Sequence, residues 1–412
     1  MRLSPLALGV GTAALASFLP ADASAEFFAD SKADLELRNF YFNGDYRQSG
    51  ARQSKREEWA QGFILNYESG FTEGPVGFGV DALGMLGLKL DSGPDRQNTG
   101  LLPVGDRRAP DDYSKLGLTG KVRVSKSTLK VGTLIPRIQT VRSSNSRLLP
   151  QTFQGAQLVS KELDNLTVNA GRLTQNRIRN DSANEDMTVA GSGIRGGRAS
   201  DQFDFAGLSY KWSKQLTTVY DYGHLDQNYE QHMFNVLHVL PLGKDRSLET
   251  DLRYARSRKD GGSNVDNDAY GAKFTFNVGH HAFGAAYQQM HGATGFPHLN
   301  GTDSYLVNYV MLSPDFANPG ERSWQVRYDY DFAAWGLPGL AFMTRYLKGD
   351  HFDGPGDVAG REWERDTELE YTFQSGSLKN FKVRWRNGSY RSRNDTELDQ
   401  NRLILSYTLP LL

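Results

Sequence analysis

The chain predicts an all-β fold, a transmembrane antiparallel β-barrel of about 18 strands. Three observations carry that reading. An export signal opens the sequence, period-two alternation of apolar and polar residues recurs from end to end, and the segments that alternate are joined by short turns and long polar loops in turn.

The first residues direct export. Arg2 supplies a positive start, an apolar stretch runs from Leu6 to Leu19, and Ala23-Ser24-Ala25 offers the small-x-small pattern that signal peptidase cuts. Residues 1–25 therefore read as a signal peptide, with an uncleaved anchor as the alternative, and 26–412 as the barrel. Downstream of 25 no run approaches the ~20 apolar residues that a membrane helix needs. The 412 residues contain no cysteine, so an exported chain of this size draws no stability from disulfides. With 47 basic and 48 acidic residues there is no cationic excess of the kind nucleic acid requires, and no nucleic-acid partner is expected. A hydrophobic content of 38% suits a soluble two-domain protein or a barrel whose strands are half polar. The 22 Phe and 19 Tyr, set mostly inside alternating segments that Gly, Asn and Asp separate, favour the barrel with its aromatic girdles.

Each strand is justified by its two faces. In Trp324–Phe332 every second residue is aromatic or aliphatic, and Gln325, Arg327, Asp329 and Asp331 fill the gaps. A strand sends those sets to opposite sides. Neither a soluble core nor a soluble surface accommodates both, whereas lipid outside and water inside do. Leu248, Thr250, Leu252 and Tyr254 alternate with Glu249, Asp251 and Arg253; Leu369, Tyr371 and Phe373 with Glu368, Glu370 and Thr372; Phe381, Val383 and Trp385 with Lys382, Arg384 and Arg386.

Tight turns are expected at Gly336–Gly339, Gln374–Ser377, Ser213–Gln215 and Gly279-His280. Long polar loops are expected at about 43–57, 92–112, 136–151, 174–202, 291–322 and 349–363. Barrels of this kind put short turns in the periplasm and long loops outside. Tyr305–Met311 has strand character, but counting it as a span would put the next tight turn outside, so it belongs to a long loop and the strand number stays even. The segment Arg179–Arg198 reads as a mobile external loop.

Motifs for chemistry are weak. Gly191–Gly196 matches GxGxxG but is not followed by an amphipathic helix, so a loop is favoured over a dinucleotide site. His280, His281, His291 and His298 lack partners at ligand spacing, and no metal or cofactor is expected. A barrel enzyme would need a nucleophile and a base in a recognisable arrangement, and none is seen, so a channel is expected and not an enzyme. The informative constellation is basic: parity sends Lys121, Arg123, Lys130, Arg253, Lys273, Arg327, Arg345, Lys382, Arg384 and Arg386 into the lumen. Lys382, Arg384 and Arg386 stand on one face of one strand about 6–7 Å apart, so a carboxylate could pass from one to the next. The competing reading is that these charges neutralise Glu368 and Glu370 across the strand pair, with Asp329 and Asp331 nearby.

The chain resembles the OprD family of outer-membrane carboxylate channels. The likeness is carried in order by Leu37–Phe42, Glu58–Phe63, Gly77–Ala82, Lys89–Gly93, Arg147–Phe153, Gly320–Trp324, Gly336–Leu340 and Val383–Asn387. It implies an eighteen-stranded barrel whose third and seventh external loops, at about 136–151 and 291–322, fold inward as a narrow eyelet. Arg142, Arg147, Asp303 and Asp315 are the eyelet candidates. It also implies a basic ladder that draws in substrate carboxylates. The expected function is passive uptake of small carboxylates, cyclic or aromatic acids such as benzoate or vanillate, with a basic amino acid channel as the alternative. The expected setting is the bacterial outer membrane, among lipid and lipopolysaccharide, as a monomer or a labile homotrimer.

Overall fold

Lys32–Tyr46 (β1) pairs antiparallel with Lys55–Glu68 (β2) on one side and with Glu397–Pro410 (β20) on the other, which closes an 18-stranded sheet on itself. Closure satisfies every ladder hydrogen bond inside the wall, the condition for a backbone that crosses lipid. The computed structural model describes residues 27–312, 315–354, 358–393 and 397–412. The signal peptide expected over 1–25 lies outside them.

Going round the wall, the strands are Val76–Asp91 (β3), Asp112–Val124 (β4), Ser127–Leu134 (β5), Thr152–Ser160 (β6) and Leu166–Arg177 (β7). After the short Val189–Ala190 (β8) come Phe203–Lys211 (β9), Leu216–Leu225 (β10), Tyr229–Pro241 (β11), Arg246–Lys259 (β12), Asp266–Val278 (β13) and His281–His291 (β14). After His298–Leu299 (β15) come Arg322–Asp331 (β16), Leu340–Asp353 (β17), Ala359–Thr372 (β18) and Lys382–Ser392 (β19). β8 and β15 pair with each other outside the barrel sheet. No strand forms at 305–311, as the parity of the turns requires.

Alternation is realised as two faces. In β4 the outward Leu116 and Leu118 are 69% and 60% exposed, while the inward Tyr113, Lys115, Thr119 and Lys121 are buried. Burial here comes from loops folded into the barrel, because a lumen of this width would otherwise be wet. Outward rings gather in belts, such as Phe283, Tyr328, Tyr330 and Trp335 near the periplasmic turns and Trp324, Tyr346 and Trp363 near the outer end. The turn after β16 begins with a 3-10 turn, Phe332–Trp335, capped by the Asp331 side chain and closed by Gly336 at φ 75°, a left-handed conformation glycine adopts without strain.

Three expectations about the connections are corrected. The loop placed at 349–363 is shorter, because β17 runs on to Asp353 and β18 begins at Ala359; ladder pairing continues past the membrane whatever the polarity of the side chains. Not every external connection is long, since Asp226–Asn228 and 260–265 are tight. The segment 179–198 is not a free loop: Met187 is fully buried, Val189 packs with the same cluster, and β8 fastens the segment to the seventh loop through β15. Gly191–Gly196 lies in that segment, with no helix after it.

Candidate functional site: a loop-narrowed lumen lined by arginine

The third external loop (135–151) and the seventh (292–321) enter the lumen and grip each other. The Asp303 amide donates to the Arg142 carbonyl (2.9 Å), the Gln151 side-chain amide to the Asn300 carbonyl (3.1 Å), and the Arg142 guanidinium lies over the Tyr305 ring. Wall residues hold both loops. Arg38 of β1 donates to the Arg147 carbonyl and the Asn145 side chain. Glu364 of β18 accepts the amides of Met311 and Leu312, and Arg345 of β17 donates to the Tyr309 carbonyl. Gly388 of β19 makes room, because a Cβ there would lie 2.7 Å from Met311 and 2.8 Å from Leu312.

The sequence-derived ladder faces the lumen as parity requires, and it is interleaved with carboxylates. Register sets Glu370 opposite Arg384 and Glu368 opposite Arg386. Glu370 then takes Lys382 at 2.9 Å and Arg384 at 2.5 Å, and Glu368 takes Arg386 at 2.7 Å and Arg384 at 3.3 Å. Arg345 pairs with Asp366 (2.6 Å) and Arg327 with Asp329 (2.6 Å). These five cations and four carboxylates mostly flank a cavity of about 470 Å³ that opens toward the His280-His281 turn. Elsewhere round the wall Lys121 and Lys130 share Asp81, Arg253 and Lys273 share Asp251, and Arg123 lies over the Phe71 ring.

A second set of cations is different in kind. Arg56 of β2, Arg147 of the third loop, Arg179 of the fourth loop (178–202) and Arg402 of β20 line a cavity of about 270 Å³, together with Phe42, Thr99, Met311 and Gln400; among the described residues no carboxylate lines it. Their partners are neutral. Arg402, almost fully buried, donates to the Gln400 side chain (2.8 Å) and the Met311 carbonyl (2.9 Å). Arg147 donates to the carbonyls of Thr99 and Ser146. Phe42 lies beneath the guanidinium groups of both Arg147 and Arg402. The Nε groups of Arg56 and Arg179 are buried without a partner. Burial, and then the neighbouring Arg179, pull the Arg147 guanidinium down to about 9, and burial lowers Arg179 as well. The charge of Asp303 acts on both in the opposite direction without cancelling the burial.

Of the four eyelet candidates, the cavity therefore takes Arg147. Arg142 instead joins the two loops. Asp303 accepts the Tyr309 hydroxyl (2.7 Å), and neither it nor Asp315 reaches the cavity wall. Sequence reading missed Arg56, Arg179 and Arg402. Arg402 was accessible by extending the parity of Leu405 and Leu403 one pair further, whereas Arg179 comes from a loop whose inward fold has no local signature. The histidines singled out in the sequence are dispersed: His281 bonds the Tyr328 hydroxyl and His298 sits in the seventh loop. A different trio, His224, Asp226 and Asp260, meets at the outer rim, with His224 2.8 Å from Asp260.

Comparison with known proteins agrees with this architecture. The family model for outer membrane porins of the OprD family matches residues 25–411. The porin-like protein GalP of Pseudomonas putida is 40% identical over 411 residues, covering 98% of each chain. The crystal structure of OpdQ from Pseudomonas aeruginosa superposes with a TM-score of 0.87 at 55% identity, over 94% of this chain and 100% of that one. A BenF-like porin from Pseudomonas fluorescens gives a TM-score of 0.90 at 39% identity, over 93% and 100%. The chain belongs to the OprD family of outer-membrane porins.

Proposed function

We propose that this porin is a selective diffusion channel for small carboxylates, with cyclic or aromatic acids such as benzoate or vanillate preferred. The observation that carries the reading is the cavity at the constriction, where four guanidinium groups meet no carboxylate lining among the described residues. Guanidinium binds carboxylate through paired, charge-assisted hydrogen bonds, and an anion entering this cavity supplies the charge its walls lack. The Phe42 ring, buried beneath two of the arginines, holds their guanidinium groups in place through cation–π contact. Below the constriction, the paired ladder offers exchangeable contacts that hold a passing anion only weakly.

A channel for basic amino acids would need free carboxylates facing the cations. Asp303 is engaged by Tyr309, and among the described residues no acid lines the cavity, so the acid-selective reading is favoured. Uptake of benzoate, arginine and a neutral sugar of similar size into liposomes carrying the purified barrel tests it. Benzoate is expected to enter fastest. Faster entry of arginine would overturn the preference.

A further inference from the structure

The outer face of the barrel carries an unpaired basic patch beside its upper aromatic belt. In β18 the inward Glu362, Glu364 and Asp366 are buried, so Arg361, Trp363 and Arg365 between them face out, and both arginines are exposed. In β17 the inward Leu347 is fully buried and Lys348 faces out. In β16 Arg322 and Trp324 face out, Trp324 being 43% exposed.

Register assembles these residues into a lattice. Lys348 lies between Trp324 and Trp363, Tyr346 is opposite Arg365, and Asp350 lies between Arg322 and Arg361. Lys348 is thus a diagonal neighbour of both Arg361 and Arg365, at about 7–8 Å between backbones. The rings form a continuous strip, Trp324 to Tyr346 at 5.6 Å and Tyr346 to Trp363 at 5.9 Å, and Arg391 of β19 lies over Trp363.

Charge is unbalanced here. None of Arg322, Lys348, Arg361 and Arg365 has a hydrogen-bonded or ion-paired side chain among the described residues. The acid in their midst, Asp350, is taken by His351. Other outer-face cations near this rim have an acid beside them: Arg172 pairs with Asp204 at 2.6 Å and Arg258 with Asp268 at 2.5 Å, and register sets Arg256 opposite Asp268. Tryptophan and tyrosine mark the level where acyl chains give way to headgroups. Cations beside and above that level face the headgroups of the outer leaflet, and their unmatched charge calls for an anion.

We infer that Lys348, Arg361 and Arg365, with the Trp324–Tyr346–Trp363 strip set among them, form a binding site for the phosphorylated sugar headgroup of an outer-leaflet glycolipid of the lipopolysaccharide class. The two arginines offer paired donors to phosphate oxygens, Lys348 a point charge between them, and the ring strip a surface for the sugar and the first acyl carbons. The site lies on the lipid side of the wall and does not depend on what the lumen carries.

The test uses the full mature barrel, delipidated in detergent and titrated with diphosphorylated lipid A by native mass spectrometry. The K348Q/R361Q/R365Q variant is expected to weaken binding by about ten-fold or more, as the loss of several charge-assisted contacts implies. K126Q/K214Q/K244Q, which removes three charges from periplasmic turns, is expected to change it by less than about two-fold, the size of a non-specific charge effect. Equal binding by the two variants would overturn the site. So would undiminished binding of a dephosphorylated lipid A to the unmodified barrel. Displacement of the lipid by an equal concentration of inorganic phosphate would show a free-phosphate site and overturn the lipid assignment. Should the triple variant fail to fold, R361Q and R365Q singly are each expected to weaken binding about three-fold on the same reasoning, and no loss in either would likewise overturn the site.

Discussion

The ladder on β18–β19 and the arginine cavity at the constriction use the same side chain in opposite ways. In the ladder, antiparallel register sets an acid beside each base, so Glu368 and Glu370 neutralise Lys382, Arg384 and Arg386 before any solute arrives. In the cavity, Arg56, Arg147, Arg179 and Arg402 come from two strands and two loops; Arg147, Arg179 and Arg402 donate to carbonyl, hydroxyl and amide oxygens, and Arg56 lies over the Tyr46 ring. A paired cation attracts a passing anion weakly, while one held by neutral dipoles in a buried site keeps most of its field. On the proposed function, selectivity belongs to the constriction and the ladder acts as a conducting wall.

The largest effect that would break this comparison is expected from R147Q/R179Q. Benzoate flux at low concentration should fall by about ten-fold or more, equivalent to about 1.4 kcal/mol, with neutral-sugar flux unchanged or raised. Liposome uptake reads both. R147K keeps the charge but loses the fork, so it should recover only part of the flux. Equal losses for acid and sugar would mean that the substitutions had collapsed the third loop and that the cavity sets pore width, not preference.

A smaller effect is expected from R384Q/R386Q. Carboxylate flux should drop by about two- to four-fold, more than sugar flux, because each removed cation was already largely matched. Its sharper companion is E368Q/E370Q. Stripping the acids leaves Lys382, Arg384 and Arg386 unpaired, so the reversal potential of a planar bilayer under a salt gradient should move toward anion selectivity. An unmoved potential would make the ladder structural.

How far these two regions can be read from sequence differs for a physical reason. The wall is written at period two, so alternation alone places Arg327, Arg345, Lys382, Arg384 and Arg386 inward, and the structure agrees for each. The same rule yields the strand number, once Tyr305–Met311 is assigned to a loop by turn parity. Pairing of the ladder needed one further step, the register between β18 and β19, which the loop lengths leave open. The cavity is another matter. Arg402 obeys the alternation, but Arg147 and Arg179 reach their places through loops pinned by Arg38 and Lys115, contacts more than fifty residues apart in sequence with no local pattern to announce them. Resemblance to the family supplied the inward third and seventh loops; the fourth loop's part in the site emerged only from its contacts.

The smallest effect expected concerns pH and the seventh loop. Burial, opposed by a Ser304 hydrogen bond and reinforced by the charge of Asp303, pushes the Asp315 carboxyl up to about 7, against an ordinary 3.8. The folded loop therefore holds a proton that an unfolded or detached loop would have released, so its docking is most favourable at low pH. That advantage is lost as pH climbs from about 4 to about 7, and above 7 the loop carries an ionised Asp315 beside Asp303. The gain lies on the acidic side, the reverse of a carboxylate held in a salt bridge. Arg345 faces Asp315 and softens the penalty without cancelling it. Single-channel recordings of the unmodified porin should show more closures and noise at pH 8 than at pH 5.5, whereas D315N, neutral throughout, should show the quiet behaviour at both. The arginine cavity is lined by no carboxylate or histidine among the described residues, so benzoate preference should persist across it. A pH dependence that survived in D315N would move the origin of the noise from the seventh loop to another part of the constriction.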